Sequence, residues 1–150
     1  MISIRPSRPS DFPRTFDIWH SAVKATHDFL SEADFRALAV IVRDRYLPEA
    51  ELWIATNDQD QAMGFMGITE KNIDTLFVHA EGRGAGFGKA LIQHAISLQP
   101  ELTVDVNEQN SAARGFYLHM GFVQMGRSDL DSEGRPYPLL HLRSSASKNY

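Results

Sequence analysis

The sequence predicts an α/β fold: a mixed, mainly antiparallel sheet of about seven strands flanked by four helices. Three observations predict it. Short runs rich in β-branched and aromatic residues recur from Ile2 to Leu142, bounded by turn residues. Between them, four segments carry apolar residues at helical spacing. One strand, Ile73 to Val78, leads through a glycine loop and a helix into a second strand at 102–106, and such a crossover makes that pair parallel. The predicted order is βααβββαβαββ.

Each element has its own signal. Ile2 to Arg5 is a strand followed by a polar, proline-bearing turn. Ser10 or Asp11 is placed to cap the first helix, with Pro13 tolerated in its first turn and Phe12, Phe16, Trp19 and Val23 as its apolar stripe. Thr26 to Leu30 interrupts. Ser31, with Asp34 three residues on, opens a second helix whose buried face is Phe35, Leu38, Val42 and Tyr46, and which stops at Leu47-Pro48. Leu52 to Ala55 is a strand. Ala62 to Thr69 is another, apolar or glycine on both faces as in a sheet interior. From 102 to 106, Leu102, Val104 and Val106 alternate with Thr103 and Asp105. Asn110 is placed to cap a last helix with Ala112, Ala113, Phe116 and Met120 on one face and Gly121 as its C-terminal glycine. Phe122 to Gly126 and Leu139 to Leu142 form a closing hairpin around Asp131 to Pro136.

Size and composition set limits. At 150 residues the chain is one domain with enough apolar content for one core. A net charge of -4 with no lysine and arginine run gives no footprint for nucleic acid or a membrane surface. No cysteine is present, which excludes disulfides and a thiolate nucleophile. The N-terminus lacks an export signal and no stretch reaches transmembrane length, so a cytoplasmic protein is expected. The last residues, 144–150, are expected to be a flexible tail.

The chemistry concentrates after Val78. Gly82, Gly84, Gly86 and Gly88 precede or open a helix bearing Phe87, Leu91, Ala95 and Leu98. Glycines let the backbone approach a ligand closely, and the first N–H groups of a helix lack partners at its positive dipole end. That is an anion site, phosphate above all. Arg83 and Lys89 add charge there, and a lysine in a first helical turn is unfavourable unless an anion lies nearby. A nucleotide-triphosphate loop needs glycine at 83 and a hydroxyl residue at 90, where this chain has Arg83 and Ala90. The dinucleotide fingerprint started at Gly84 needs a small residue where Lys89 stands.

What fits is R-x-x-G-x-G, Arg83 to Gly88, which resembles the pyrophosphate loop of the GNAT superfamily of acetyl-CoA-dependent N-acetyltransferases. N-x-x-N-x-x-A-x-x-F-Y-x-x-x-G-F, from Asn107 to Phe122, resembles that superfamily's later motif, and the element order matches along nearly the whole chain. The segments A-T-H-D-F-L, M-G-F-M, V-N-E-Q-N, G-F-Y and P-Y-P-L-L resemble its bacterial YjaB-type branch. One departure is Ala80, where many relatives carry proline.

The resemblance implies the GNAT fold, with a splayed parallel strand pair at its centre, and a bacterial enzyme that passes acetyl from acetyl-CoA to a primary amine without a metal. It places the donor along Leu76, Phe77 and Val78, its pyrophosphate on Arg83, Gly84, Ala85, Gly86, Phe87 and Gly88, and its pantetheine near Asn107 and Asn110. The Val78 N–H would stabilise the oxyanion, a donor of a kind that contributes about 2.7–4 kcal/mol of barrier lowering. Tyr117 would protonate the departing thiolate, as a phenol near pKa 10 suits a sulfur near 8.5. Without cysteine, direct transfer in a ternary complex is expected over a cysteinyl intermediate.

Proton removal from the amine has two candidates. Asp74, on the strand before the loop, is a base or a structural carboxylate. His27 is a competing base or, with Phe29, an acceptor contact, although a lone histidine is more often merely exposed. Asn107 is alternatively a turn residue and Asn110 alternatively only a helix cap. The acceptor pocket is expected from Trp19 to Phe35 and the Arg127 to Pro138 hairpin, the acceptor being a small molecule or a protein amine and the chain a monomer or homodimer. The alternative from another class is a non-catalytic acyl-CoA sensor or interaction module.

Overall fold

The computed structural model describes residues 1–144. It contains β1 (Ser3–Pro6), α1 (Arg14–Thr26), α2 (Glu32–Ile41), β2 (Trp53–Thr56), β3 (Ala62–Thr69), β4 (Asn72–Val78), α3 (Phe87–Leu98), β5 (Thr103–Asn107), α4 (Ser111–His119), β6 (Phe122–Ser128) and β7 (Leu139–Ser144). The strands form a seven-stranded sheet in the order β1-β2-β3-β4-β5-β7-β6. This is the predicted element order. Of the predicted tail, Ser144 is the last residue of β7, where its N–H donates to the Leu102 carbonyl and its Oγ accepts from the Leu102 N–H. The rest lies outside the described residues. No helix among them is long and apolar enough to cross a membrane.

The chain divides into two compact units. The first comprises Met1–Gly67 and Thr75–Leu91. Its core joins Ile18, Trp19 and Val23 of α1 to Leu47, Leu52, Ile54, Ala62 and Phe65, with Phe35, Leu38, Val42 and Tyr46 packed against them. Removing such side chains from water stabilises the unit by about 1.5–3 kcal/mol each. The Trp19 and Phe35 rings stack at 5.7 Å, fixing α1 against α2.

The ends of these helices differ from the predicted ones. A 3-10 turn over Pro9–Asp11 precedes α1, which begins at Arg14. Phe12 therefore lies outside the helix, 38% exposed, and the buried face is Thr15, Ile18, Trp19, Ala22 and Val23. Asp11 caps nothing in α1. It holds the Arg5 guanidinium at 2.8 and 3.0 Å, and that hydrogen bond keeps its carboxyl below the usual carboxylate range. Ser31 does cap α2, its Oγ accepting from the Asp34 N–H. Beyond Ile41 the helix widens into a π-helical segment, Val42–Tyr46, and places the Tyr46 hydroxyl 3.0 Å from Thr75 Oγ1.

The second unit comprises Ile68–Asp74 and the chain from Ile92 onward. β4 pairs with β5 in parallel at Asn72 with Thr103 and Ile73 with Val104, a two-residue ladder for strands of seven and five residues. β5 pairs with β7, and β7 with β6, antiparallel. Leu102, Val104, Val106, Leu140 and Leu142 are buried on one face, as the alternation predicts. β6 carries a bulge between Gln124 and Gly126.

Candidate active site

In the first unit, the strand and loop are built from backbone. β3 is buried over Ala62–Gly67, but Leu76, Phe77 and Val78 of the adjacent β4 are only half-buried. The strands lie close there, because a side chain on Gly64 would meet the Phe77 carbonyl oxygen at 3.1 Å. After β4 the chain makes a 3-10 turn, Ala80–Gly82, which His79 caps by accepting the Glu81 N–H on Nδ1. Ser21 Oγ of α1 accepts the Ala80 N–H at 2.8 Å and fixes the turn to the helix.

Gly84 and Gly86 follow at φ +80° and +94°, a region that excludes most side chains. These two residues swing the chain into α3. The first intrahelical bond entering from outside runs from the Ala90 N–H to the Gly86 carbonyl, and among the described residues no backbone acceptor takes the N–H groups of Gly86, Phe87, Gly88 and Lys89. Phe87 is buried and anchors the helix start; Arg83, Gly84, Ala85, Gly86 and Lys89 are exposed. Neither Arg83 nor Lys89 makes an ion pair among the described residues. A helix start with unpaired donors and two uncommitted cations is built for a polyanion.

Also in this unit, His27 ends α1 and lies over the Phe29 ring at 5.2 Å. Thr26 Oγ1 donates to the Ala22 carbonyl, so its 2.8 Å contact with His27 Nδ1 makes the imidazole the donor and leaves the lone pair on Nε2. Burial pushes the His27 pKa down to about 4.

In the second unit, α4 presents one residue to the interior. Tyr117 is 5% exposed, with ring centroids 5.1 Å from Phe116 and 5.3 Å from Phe122. Burial raises its pKa, so the phenol keeps its proton across the ordinary pH range. The predicted face of Ala112, Ala113, Phe116 and Met120 is not the buried one: Ala112 is exposed and the other three are half-buried. Asn110 is the helix cap, its Oδ1 accepting from the Ala113 N–H at 3.1 Å. Asn107, at the end of β5, has a buried Oδ1 without a hydrogen-bond partner among the described residues. Asp74 is exposed and accepts from Asn72 Nδ2 at 2.8 Å and from Thr69 Oγ1. The sequence reading missed one feature here, a chain of hydrogen bonds through Ser128, His141 and Asp105, because its members lie on three different strands.

The model of the GNAT acetyltransferase domain matches residues 48–124, which span the half-buried strand, the glycine loop and the Tyr117 helix. The chain belongs to the GNAT acetyltransferase family. Within that family it is 51% identical to the peptidyl-lysine N-acetyltransferase YjaB of Salmonella typhimurium, over 95% of this chain and 97% of that one. It is 50% identical to YjaB of Escherichia coli K12, over 95% and 96% of the two chains. The solution structure of apo-form Escherichia coli YjaB superposes with a TM-score of 0.92 at 48% identity, covering 97% of this chain and 98% of that one. The GNAT chain is accordingly an N-acetyltransferase, and its likeness to the YjaB branch extends over nearly its full length.

Proposed function

We propose that the chain acetylates lysine side chains of proteins or peptides in the cytoplasm, using acetyl-CoA. The observation that carries the donor is the start of α3, where unpaired N–H groups of Gly86 to Lys89 meet the uncommitted Arg83 and Lys89. The pyrophosphate takes these groups, with Gly84 and Ala85 completing the turn and Gly88 leaving room for close approach. The pantetheine runs along the half-buried Leu76, Phe77 and Val78, and the unsatisfied Asn107 Oδ1 is a ready acceptor for one of its amide N–H groups. Asn110 contributes by setting the start of the Tyr117 helix.

The transfer is direct. The amine attacks the thioester carbonyl, the Val78 N–H stabilises the oxyanion, and Tyr117 gives its proton to the leaving thiolate. Burial holds the His27 pKa down at about 4, so the ring is uncharged and does not repel a lysine ammonium. His27 is therefore assigned, with Phe29, to contact with the acceptor, its neutral ring lying against the alkyl chain. Asp74 is assigned to proton removal. It works through water, because both carboxylate oxygens already accept hydrogen bonds.

The acceptor class is supported by the activity for which the YjaB proteins are named, peptidyl-lysine N-acetylation, at 50–51% identity. The test is thiol release from acetyl-CoA with a panel of lysine peptides, free lysine and polyamines. Turnover confined to the peptides is expected; turnover on free amines alone would overturn the acceptor, and no thiol release with any amine would overturn the enzyme reading.

A further inference from the structure

β5, β7 and β6 carry a second constellation. His141 Nδ1 lies 2.6 Å from Asp105 Oδ1, and His141 Nε2 lies 2.7 Å from Ser128 Oγ. A carboxylate only accepts, so the Nδ1 position carries the proton in the neutral imidazole and Nε2 holds the lone pair. The Ser128 hydroxyl therefore donates to His141. This is a hydroxyl, a base and a carboxylate that orients the base, in the hydrogen-bonded sequence that activates a serine.

The register explains how three strands deliver it. Asp105 pairs directly with His141 across β5 and β7. On β6, Gln124 pairs with Leu142 on the buried face of β7, but after the bulge Gly126 pairs with His141 and Ser128 with Leu139. The extra residue exchanges the two faces of β6 beyond it, and Ser128 arrives on the His141 face. Gly126 leaves one flank of the imidazole uncovered: a Cβ added there would meet only His141, at 3.6 and 4.0 Å. The His141 and Asp105 side chains are 38% and 52% exposed. A pair that open contributes about 0–1 kcal/mol to stability, so the fold does not depend on it.

We propose that Ser128, His141 and Asp105 form a nucleophilic site for activated acyl groups, namely aryl esters and thioesters. Ser128 Oγ bonds to the acyl carbon while its proton passes to His141 Nε2. The aryloxide or thiolate leaves and takes that proton, giving an acyl-serine ester. Water then attacks the ester, His141 accepts the water's proton and returns it to Ser128 Oγ, and the carboxylic acid departs. The restriction to activated acyl groups follows from the parts present. The parts these hydrogen bonds assemble are nucleophile, base and orienter; none of the three stabilises an oxyanion, so the leaving group must be a good one.

The first experiment treats the full-length protein with a fluorophosphonate and maps the adduct by mass spectrometry. Modification at Ser128 in folded protein, lost in urea and at least tenfold slower in His141→Gln and Asp105→Asn, is expected. A second follows 4-nitrophenyl acetate hydrolysis, expected to fall at least tenfold in Ser128→Ala. No adduct at Ser128, equal labelling in urea, or wild-type hydrolysis by Ser128→Ala would each overturn the proposal. If a variant fails to fold, as read by circular dichroism, labelling of the wild-type protein decides. Neither probe contains CoA, so the result is independent of the acetyl-transfer reading.

Discussion

In the loop from Arg83 to Lys89 the side chains are exposed and the backbone carries the geometry, through two glycines at positive φ and a row of N–H groups. In α4 the backbone is an ordinary capped helix, and a single buried side chain, Tyr117, carries the proposed proton donor. The difference follows from what each must hold. A polyanion is matched by many weak donors fixed in direction, and a backbone turn fixes direction without side-chain entropy. A proton donor must keep its proton, and burial among Phe116 and Phe122 secures that.

Substitutions in the two regions should therefore separate kinetically. Tyr117→Phe keeps the ring contacts and removes only the hydroxyl, so kcat should fall about 10²–10⁴-fold with little change in KM or in the thermal midpoint. A KM effect without a kcat effect would place Tyr117 in binding alone. Arg83→Ala should do the reverse. Loss of a charge-assisted contact of about 1.5–3 kcal/mol weakens acetyl-CoA about 10- to 100-fold by calorimetric titration, with kcat at saturation retained. Gly86→Ala is milder. Ile2 Cδ1 lies at 3.6 Å from the added Cβ, so the cost is conformational, about 1–2 kcal/mol, and should appear as weaker CoA binding.

The smallest effect is on pH dependence. His27 is neutral in the fold down to about pH 4 but titrates near 6.5 when unfolded, so the unfolded chain binds more protons between those values. Stability should fall as pH drops from about 6.5 to about 4, and His27→Gln should flatten that slope in urea titrations. An unchanged slope would show that His27 is not held neutral.

The same contrast explains what was readable in the chain. The form of the glycine loop was legible because it rests on residue types whose backbone behaviour is intrinsic, and the predicted strand, loop and helix are the observed β4, turn and α3. The face of α4 was not legible, since several alanines at helical spacing do not say which side meets a neighbour, and Ala112 faces solvent. At α1 the aromatic Phe12 matched the spacing but stands before the helix starts. The widening at Val42–Tyr46 and the meeting of Ser128, His141 and Asp105 depend on tertiary register, which a linear pattern does not encode.

The bulge in β6 bears on how such a protein changes over generations. The extra residue is Met125, and its loss would join Gln124 to Gly126 with every other pairing kept, so Ser128 would stay on the His141 face. Closing the bulge at constant length would instead pair Met125 with His141, turning Arg127 to that face and Ser128 away from it. Register, rather than residue identity, is then the variable that sets the surface of this edge.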